Sequence, residues 1–527
     1  MKHYIIISLS IVAMVCTSCS DFLNVTPEKS PSEGTFFLTD KDATDALADV
    51  YRIFGDVEPF QGRDIYWEQA GNDDLILGRS RGEDYNNLVN FTFTGRESPL
   101  RSMWEKCNLT VARANWVIYR LLRKGELSPV EKIRLGEAYF LRAFCHFYIA
   151  YRHGRADQGV PFDRYEDYDP YEYQIPEQRA SVMENYDLIV QDLETAASYL
   201  PFFEDYGEED YGRAHRVAAW AYIVKVYAYW AQHDASKWAL IPPLVDRIES
   251  EGRRGLLDNY ADVFTIANEW SREYIWSINS SGYNETGSIM PGVMLENKGW
   301  GRYNGWGFFK PTLGLYDEFV EGDKRRRVTI LEYNDEFVFF GETRRYYSTS
   351  DLESGFQFSK YMEPYTYGTV VDGIGISDVI GPAFPTTDLN IPLIRHAEMV
   401  LFKAEALIQQ GNGAAAATEL NRLTRRAGLG DVYSNATMDN LKHERRCELA
   451  GELSDRLMDL KRWQEWDRLS APLIGRHHEE RDNPESPWTP VEIWPARKFN
   501  PATDIVYPYN PDDVVKAGGK LKQNPID

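Results

Sequence analysis

The sequence predicts a mainly α protein of paired helices, interrupted by a loop-rich insert with short strands. Three observations lead there. Apolar residues recur at spacings of three and four in long segments on both sides of the chain, the signature of helices with one buried face. Successive segments are joined by short links and are rich in Ala and aromatic residues, as in helix-turn-helix repeats. Between about Leu240 and Asn390 that period disappears, and Gly, Asn, Tyr and Trp dominate around brief apolar runs.

The first helix is expected to open at Thr39-Asp-Lys-Asp-Ala, with Thr and Asp placed to cap it, and to bury Ala43, Ala46, Leu47, Val50, Tyr51 and Phe54. Arg101 to Arg123 follows, carrying Trp104, Leu109, Ala112, Trp116 and Tyr119. Ser128-Pro-Val-Glu131 has the spacing of a capping box with Pro in the first turn, and that helix should reach about Tyr151. Further helices are expected over 182–200, stopped by Pro201, and over 212–232. Within the insert, Tyr274-Ile-Trp-Ser-Ile278 and Glu336-Phe-Val-Phe-Phe340 read as strands. Helices return over 392–410, 414–427 and 438 to about 469, and the last sixty residues read as Pro-rich and largely irregular. Leu135-Gly-Glu-Ala-Tyr139 and Ala143-x-x-x-Phe147 fit two elements of the tetratricopeptide consensus. In the consensus they lie on two helices and here they share one, so the reading is degenerate repeats.

The leader Met1 to Ser18 has a positive start at Lys2 and an apolar run from Tyr4 to Val15. At ~1.5 Å per residue that run is too short to cross a ~30 Å hydrocarbon core, and it has the length of a secretory signal. Thr17-Ser-Cys19 then resembles a lipobox, with cleavage before Cys19 and a diacylglycerol on its sulfur, palmitate being among the acyl chains such a cysteine carries; Cys16 stands at the usual Leu position, and cleavage before Cys16 is the other option. A zinc or dithiol role for Cys16 and Cys19 would need a second Cys pair, which the chain lacks. Cys107, Cys145 and Cys447 are too few for a disulfide framework, so stability must come from the core. The net charge of −23 argues against nucleic acid, whose phosphates need a basic footprint.

Nucleophile-elbow, phosphate-loop, dinucleotide and H-E-x-x-H motifs are all missing, and the expectation is no catalysis. His477-His-Glu-Glu480 reads as a solvated charged stretch, and His146 and His153 as structural. The acid excess admits calcium, but there is no D-x-D-x-D-G loop, so no cofactor and no metal are expected. The stretch Gly299-Trp-Gly-Arg-Tyr-Asn-Gly-Trp-Gly307 is the most suggestive of binding. Its glycines let Trp300, Tyr303 and Trp306 project, and flat rings suit the C–H faces of sugars; the rival is a turn whose rings pack on the helices. A second polar-aromatic loop runs from Asn72-Asp-Asp74 through Arg79 and Arg81 to Tyr85 and Asn86, with a solvated loop as its rival. The ligand-binding candidates are Trp300, Tyr303, Trp306, Asp74, Arg81, Tyr85, Asn86 and Tyr283.

Several segments resemble the SusD/RagB family of nutrient-binding surface lipoproteins. The stretch Cys19-Ser-Asp-Phe-Leu-Asn-Val-Thr-Pro27 is similar to the family's start, as are Leu135 to Ala143, Gly159-Val-Pro161, Gly212-Arg-Ala and Ala218-Ala219. Pro311-Thr312, Leu315, Phe319, Asp323 and Arg325 resemble a further element. The most specific are Ile394 to Ala406, then Asn421, Arg425 and Arg426 to Leu429, Glu444-Arg-Arg-Cys-Glu-Leu-Ala450, Asp459-Leu-Lys-Arg-Trp463 and Gln523-Asn-Pro525. Between Glu452 and Arg456 the chain is one residue longer than the family spacing. The resemblance implies an α-α superhelix of four tetratricopeptide-like pairs with an irregular ligand face. It implies a lipid-anchored lid on a SusC-like TonB-dependent transporter, at the outer-membrane surface of a Gram-negative bacterium of the Bacteroides type, that captures an oligosaccharide. A peptide-binding member, or a scaffold without a ligand of its own, are the alternatives. The expected organisation is a signal peptide over 1–18, a lipidated tether over 19–38, a helical region over 39–240, the loop-rich insert over 241–390 and a C-terminal region over 391–527, in one compact unit.

Overall fold

Thr39 opens the first helix, α1 (Asp40–Tyr51), with a full capping box: its hydroxyl accepts from Asp42 N while the Asp42 carboxylate accepts from Thr39 N. The computed structural model describes residues 37, 39–55, 60, 64–77, 82–167, 170–172, 174–280, 307–339, 342–346, 354–362, 389–480, 483 and 485–526. After α1 come the single turn α2 (Asp64–Trp67), strand β1 (Leu75–Leu77) and α3 (Glu83–Asn90). The long helices α4 (Ser98–Arg123), α5 (Pro129–His153), α6 (Val182–Tyr199) and α7 (Arg216–Trp230) then stack in chain order, each on the next. Ser128 caps α5 with Glu131 as its reciprocal partner and Pro129 in the first turn, as the spacing predicts.

Packing explains the tetratricopeptide-like residues. A Cβ on Gly136 would lie 2.8 Å from Tyr199 Cβ and 3.1 Å from Leu200 Cγ, so this glycine lets α5 approach α6 closely. Helix α7 is apolar on every side and almost wholly buried, the pattern of a helix at the centre of a bundle. It begins later than the periodicity suggests, because Gly212 has φ +90° and His215 is extended. The insert opens on a helix of its own, α8 (Ile241–Ser250), led by Pro242 and Pro243 and packed on α7.

The described strands pair into two-stranded antiparallel ribbons. β2 (Tyr274–Ile278) pairs with β8 (Ile391–Arg395), and β1 pairs with β3 (Phe309–Pro311). Short helices α9 (Leu313–Tyr316) and α10 (Lys324–Thr329) precede β4 (Ile330–Glu332), which pairs with β7 (Phe356–Phe358), and β5 (Glu336–Phe339) pairs with β6 (Glu342–Arg345). The stretch expected to be helical from Pro392 is thus strand as far as Arg395. The apolar run is needed to pair with β2, and Pro392 is tolerated because β8 has β2 as its sole partner strand among the described residues.

Helices α11 (His396–Gln409), α12 (Gly413–Arg426) and α13 (Met438–Leu449) enclose a second apolar cluster that includes Val400, Leu401, Leu420 and Leu441. The helix expected over 438–469 is broken. Gly451 at φ +76° and Asp455 at φ +70° interrupt it, and it resumes as α14 (Arg456–Arg462) and α15 (Trp466–Ser470). The tail is more regular than expected: β9 (Leu473–His478) and β10 (Trp488–Trp494) form a hairpin, and α16 (Pro511–Lys516) follows. His477 and His478 therefore lie on a strand, with the His478 ring stacked on Tyr333 at 3.7 Å. No described helix is long and apolar enough to cross a membrane. Cys107, Cys145 and Cys447 are buried thiols, not disulfides.

Candidate functional site

Described residues bordering the two loops singled out by their composition pair in one ribbon. In the β1–β3 register Leu77 lies opposite Phe309, Ile76 opposite Lys310 and Leu75 opposite Pro311. Leu77 and Phe309, more than two hundred residues apart in sequence, thus lie side by side. The β2–β8 ribbon does the same for the far end of the insert: Ile278 faces Ile391, and Ser280 N donates to Asn390 Oδ1 at 2.7 Å. Trp300, Tyr303, Trp306, Arg81 and Tyr283 lie outside the described residues, as does Cys19.

Tyr85 is half-buried on α3, not in a loop. Its ring packs on Trp67 with centroids 4.3 Å apart, and Trp67 in turn meets Phe309 at 4.8 Å and Phe308 at 5.6 Å. Trp67, Phe308 and Phe309 are buried in the core, and Tyr85 packs against them from its edge. Helix α3 is pinned at several points. Asp84 accepts from Ser98 N at 3.1 Å, Asn87 donates to the buried Glu97 at 3.3 Å, and Trp494 Nε1 donates to Asn90 Oδ1 at 2.8 Å. Glu97 also accepts from the backbone of Thr94 and Gly95, fixing the turn into α4. Asn86, half-buried, sits beside Tyr85 on the same helix.

Asp74 is in a different setting from the one its sequence suggests. It is 3% exposed, and its carboxylate accepts from Arg446 Nε at 2.7 Å, so it faces the protein and not a ligand. Asp73 is held by Arg456 at 2.9 Å and Arg468 at 2.7 Å, and Asn72 Oδ1 accepts from the backbone of Asp74 and Leu75. Burial pushes Asp73 up, but Arg456, Arg446 and Arg468 together hold it below the carboxylate range. In Asp74 burial wins over Arg446 and the value is raised. The 72–74 stretch is therefore a lock between the ribbon and α13 and α14. Sequence reasoning missed it because Arg446 and Arg456 lie some 370 residues away.

The Pro311-Thr312 element belongs to the same lock. The Thr312 hydroxyl donates to Asp73 O at 2.9 Å and accepts from Leu315 N, capping α9. Glu318 then accepts from Arg446 at 2.5 Å and pairs with His443 at 2.8 Å. A second buried network centres on Arg395, which meets Glu273 and Glu448 at 2.8 Å each and Glu452 at 2.6 Å. Arg426 joins Glu273 at 2.7 Å, and Arg325 is held by Asp323 at 2.7 Å and Glu444 at 2.8 Å. Lys360 pairs with Glu452 at 2.7 Å. These carboxylates hold the ribbons to the C-terminal helices. Among the described residues no group of three or more His, Cys, Asp or Glu side chains could hold a metal ion. His146 and His153 are buried, with His153 held down to about 3 by burial.

Comparison with known proteins agrees with this architecture. A family model described as the SusD family matches residues 272–526, and one described as starch-binding associating with outer membrane matches 21–228. A SusD-like protein of Formosa agariphila is 26% identical, over 90% of this chain and 95% of that protein. The crystal structure of a SusD-like protein from Bacteroides fragilis superposes with a TM-score of 0.77 at 20% identity, covering 94% of this chain and 99% of the other. Surface glycan-binding protein A from Bacteroides thetaiotaomicron, solved in complex with laminarihexaose, gives 0.70 at 20% identity, over 92% and 99%. With matching models over both halves, on a fold of stacked helices locked to paired ribbons, the chain belongs to the SusD family.

Proposed function

We propose that the protein is a non-catalytic glycan-binding lipoprotein of the outer-membrane surface, which captures an oligosaccharide for a SusC-like TonB-dependent transporter. The observation that carries the reading is the Leu77–Phe309 register: the described residues that border the two candidate stretches are paired there, with Tyr85 packed on Trp67 nearby. Aromatic rings stack on the C–H faces of sugars without having to change the ligand's protonation, and polar groups from the neighbouring stretch can then meet its hydroxyls. The solved relative that carries laminarihexaose supports a glucan-type ligand, and the model described as starch-binding associating with outer membrane supports the surface location. The lipid is assigned to Cys19, and no metal takes part.

Affinity electrophoresis of the full chain through gels containing β-glucans, α-glucans and host, plant and fungal polysaccharides tests this. Retardation by at least one polysaccharide is expected. Retardation by none, with binding of oligopeptides instead, would select the peptide-binding alternative. Import that fails on gene deletion and returns with a variant lacking Trp300 and Trp306 would select the scaffold.

A further inference from the structure

A cleft of ≈ 410 Å³ opens where the C-terminal ends of α5 and α7 meet α14 and residues 501–506, and none of its lining residues belongs to the β1–β3 site. That volume is in the range of small-molecule sites. Tyr151, Tyr186 and Tyr229 form an aromatic wall, with the Tyr151 and Tyr229 rings 4.8 Å apart. Two lining polar groups are buried without hydrogen-bond partners in the protein. Lys461 is 3% exposed, and its Nζ lies 4.7 Å from the Tyr507 ring centroid with no acceptor in reach. Tyr229 is 6% exposed, and its hydroxyl is unpartnered too.

The nearby charges are paired in part, with Asp455 Oδ1 left without a hydrogen-bond partner. Arg462 is taken by Glu405 at 2.5 Å and Asp459 at 2.9 Å, while Asp455 accepts from Arg152 at 2.8 Å and from the Tyr151 hydroxyl. A buried ammonium without a partner is costly. Burial draws Lys461 down to about 7 although Asp504 and Asp455 oppose it. The cleft therefore offers two unpartnered donors and an apolar wall, and its lining carboxylate, Asp157, is paired with Arg155 at 3.3 Å.

We propose that this cleft binds a small ring-bearing carboxylate, its carboxylate on Lys461 Nζ and the Tyr229 hydroxyl and its ring against the tyrosine wall. A sugar acid and an aromatic acid share this chemistry. Calorimetric titration of the full chain with glucuronate, benzoate and glucose separates them. Binding of glucuronate, of benzoate or of both, with glucose inert, is the expected result. Lys461→Met should then weaken the carboxylate at least tenfold and Tyr229→Phe several-fold. Tyr229→Phe removes a hydroxyl that has no partner, so its melting temperature should stay unchanged and it tests the cleft even where Lys461→Met fails to fold. Glucose binding as tightly as glucuronate, no binding by either acid, or unchanged affinity in both variants would overturn the proposal.

Discussion

Asp74 and Tyr85, eleven residues apart in one polar-aromatic stretch, have opposite tasks. Asp74 is buried against Arg446, and removing one member of a buried ion pair leaves the other charge uncompensated. Asp74→Ala is expected to cost about 3 kcal/mol, read as a lower melting temperature. Tyr85 is half-buried and contributes one ring contact to Trp67, so Tyr85→Ala should cost only about 1 kcal/mol while weakening glycan binding. The buried networks also set the response to acid. Burial opposes ionisation of Glu318 and Glu448, but His443 and Arg446 for the first, and Arg426 and Arg395 for the second, pull both down to about 2. An unfolded glutamate titrates near ~4.3, so the unfolded chain takes up these protons first. Their stabilisation is complete above about pH 5 and is lost as pH falls toward about 2. Thermal melts from pH 6 to pH 3 should show a falling midpoint, and Glu318→Gln should make the fall shallower.

At the scale of elements, helix ends and close contacts decide what could be read in advance. The Thr39 and Ser128 caps were legible because a capping box is local, four residues with a fixed hydrogen-bond pattern. Ser128→Ala should cost roughly 1 kcal/mol of stability. Gly136→Ala should cost more, about 1–3 kcal/mol, because the new methyl would press on Tyr199 and Leu200 in the α5–α6 contact. The misplaced elements share a physical cause. Pro392 to Arg395 has the composition of a helix start, but its partner β2 lies more than a hundred residues earlier and draws it into a strand. The break after α13 depends on left-handed backbone at Gly451 and Asp455, of which only the glycine leaves a mark in the sequence. Strands β9 and β10 were hidden because a hairpin with Pro490 inside it resembles an irregular tail.

For the whole molecule, the most specific sequence segments turn out to be its charge locks. Arg395, Arg426, Glu444, Glu448 and Asp459 sit in the buried networks that fasten the ribbons to the C-terminal helices. Family membership was legible for that reason, since a lock needs definite residues at definite places. The candidate ligand stretches were legible only as composition, because a binding loop is constrained by its ligand and not by the core. The described residues that border the two candidate stretches are paired in the β1–β3 ribbon, and a ligand site there is the central claim for function. Calorimetric titration of the polysaccharide retarded in the gel assay, against the full chain and its Trp300→Ala, Trp306→Ala and Tyr85→Ala variants, tests it most directly. The account predicts that either tryptophan variant loses binding while melting as the parent does, and that Tyr85→Ala binds more weakly. Parent-like affinity in all three folded variants would contradict it and move the glycan site away from this ribbon.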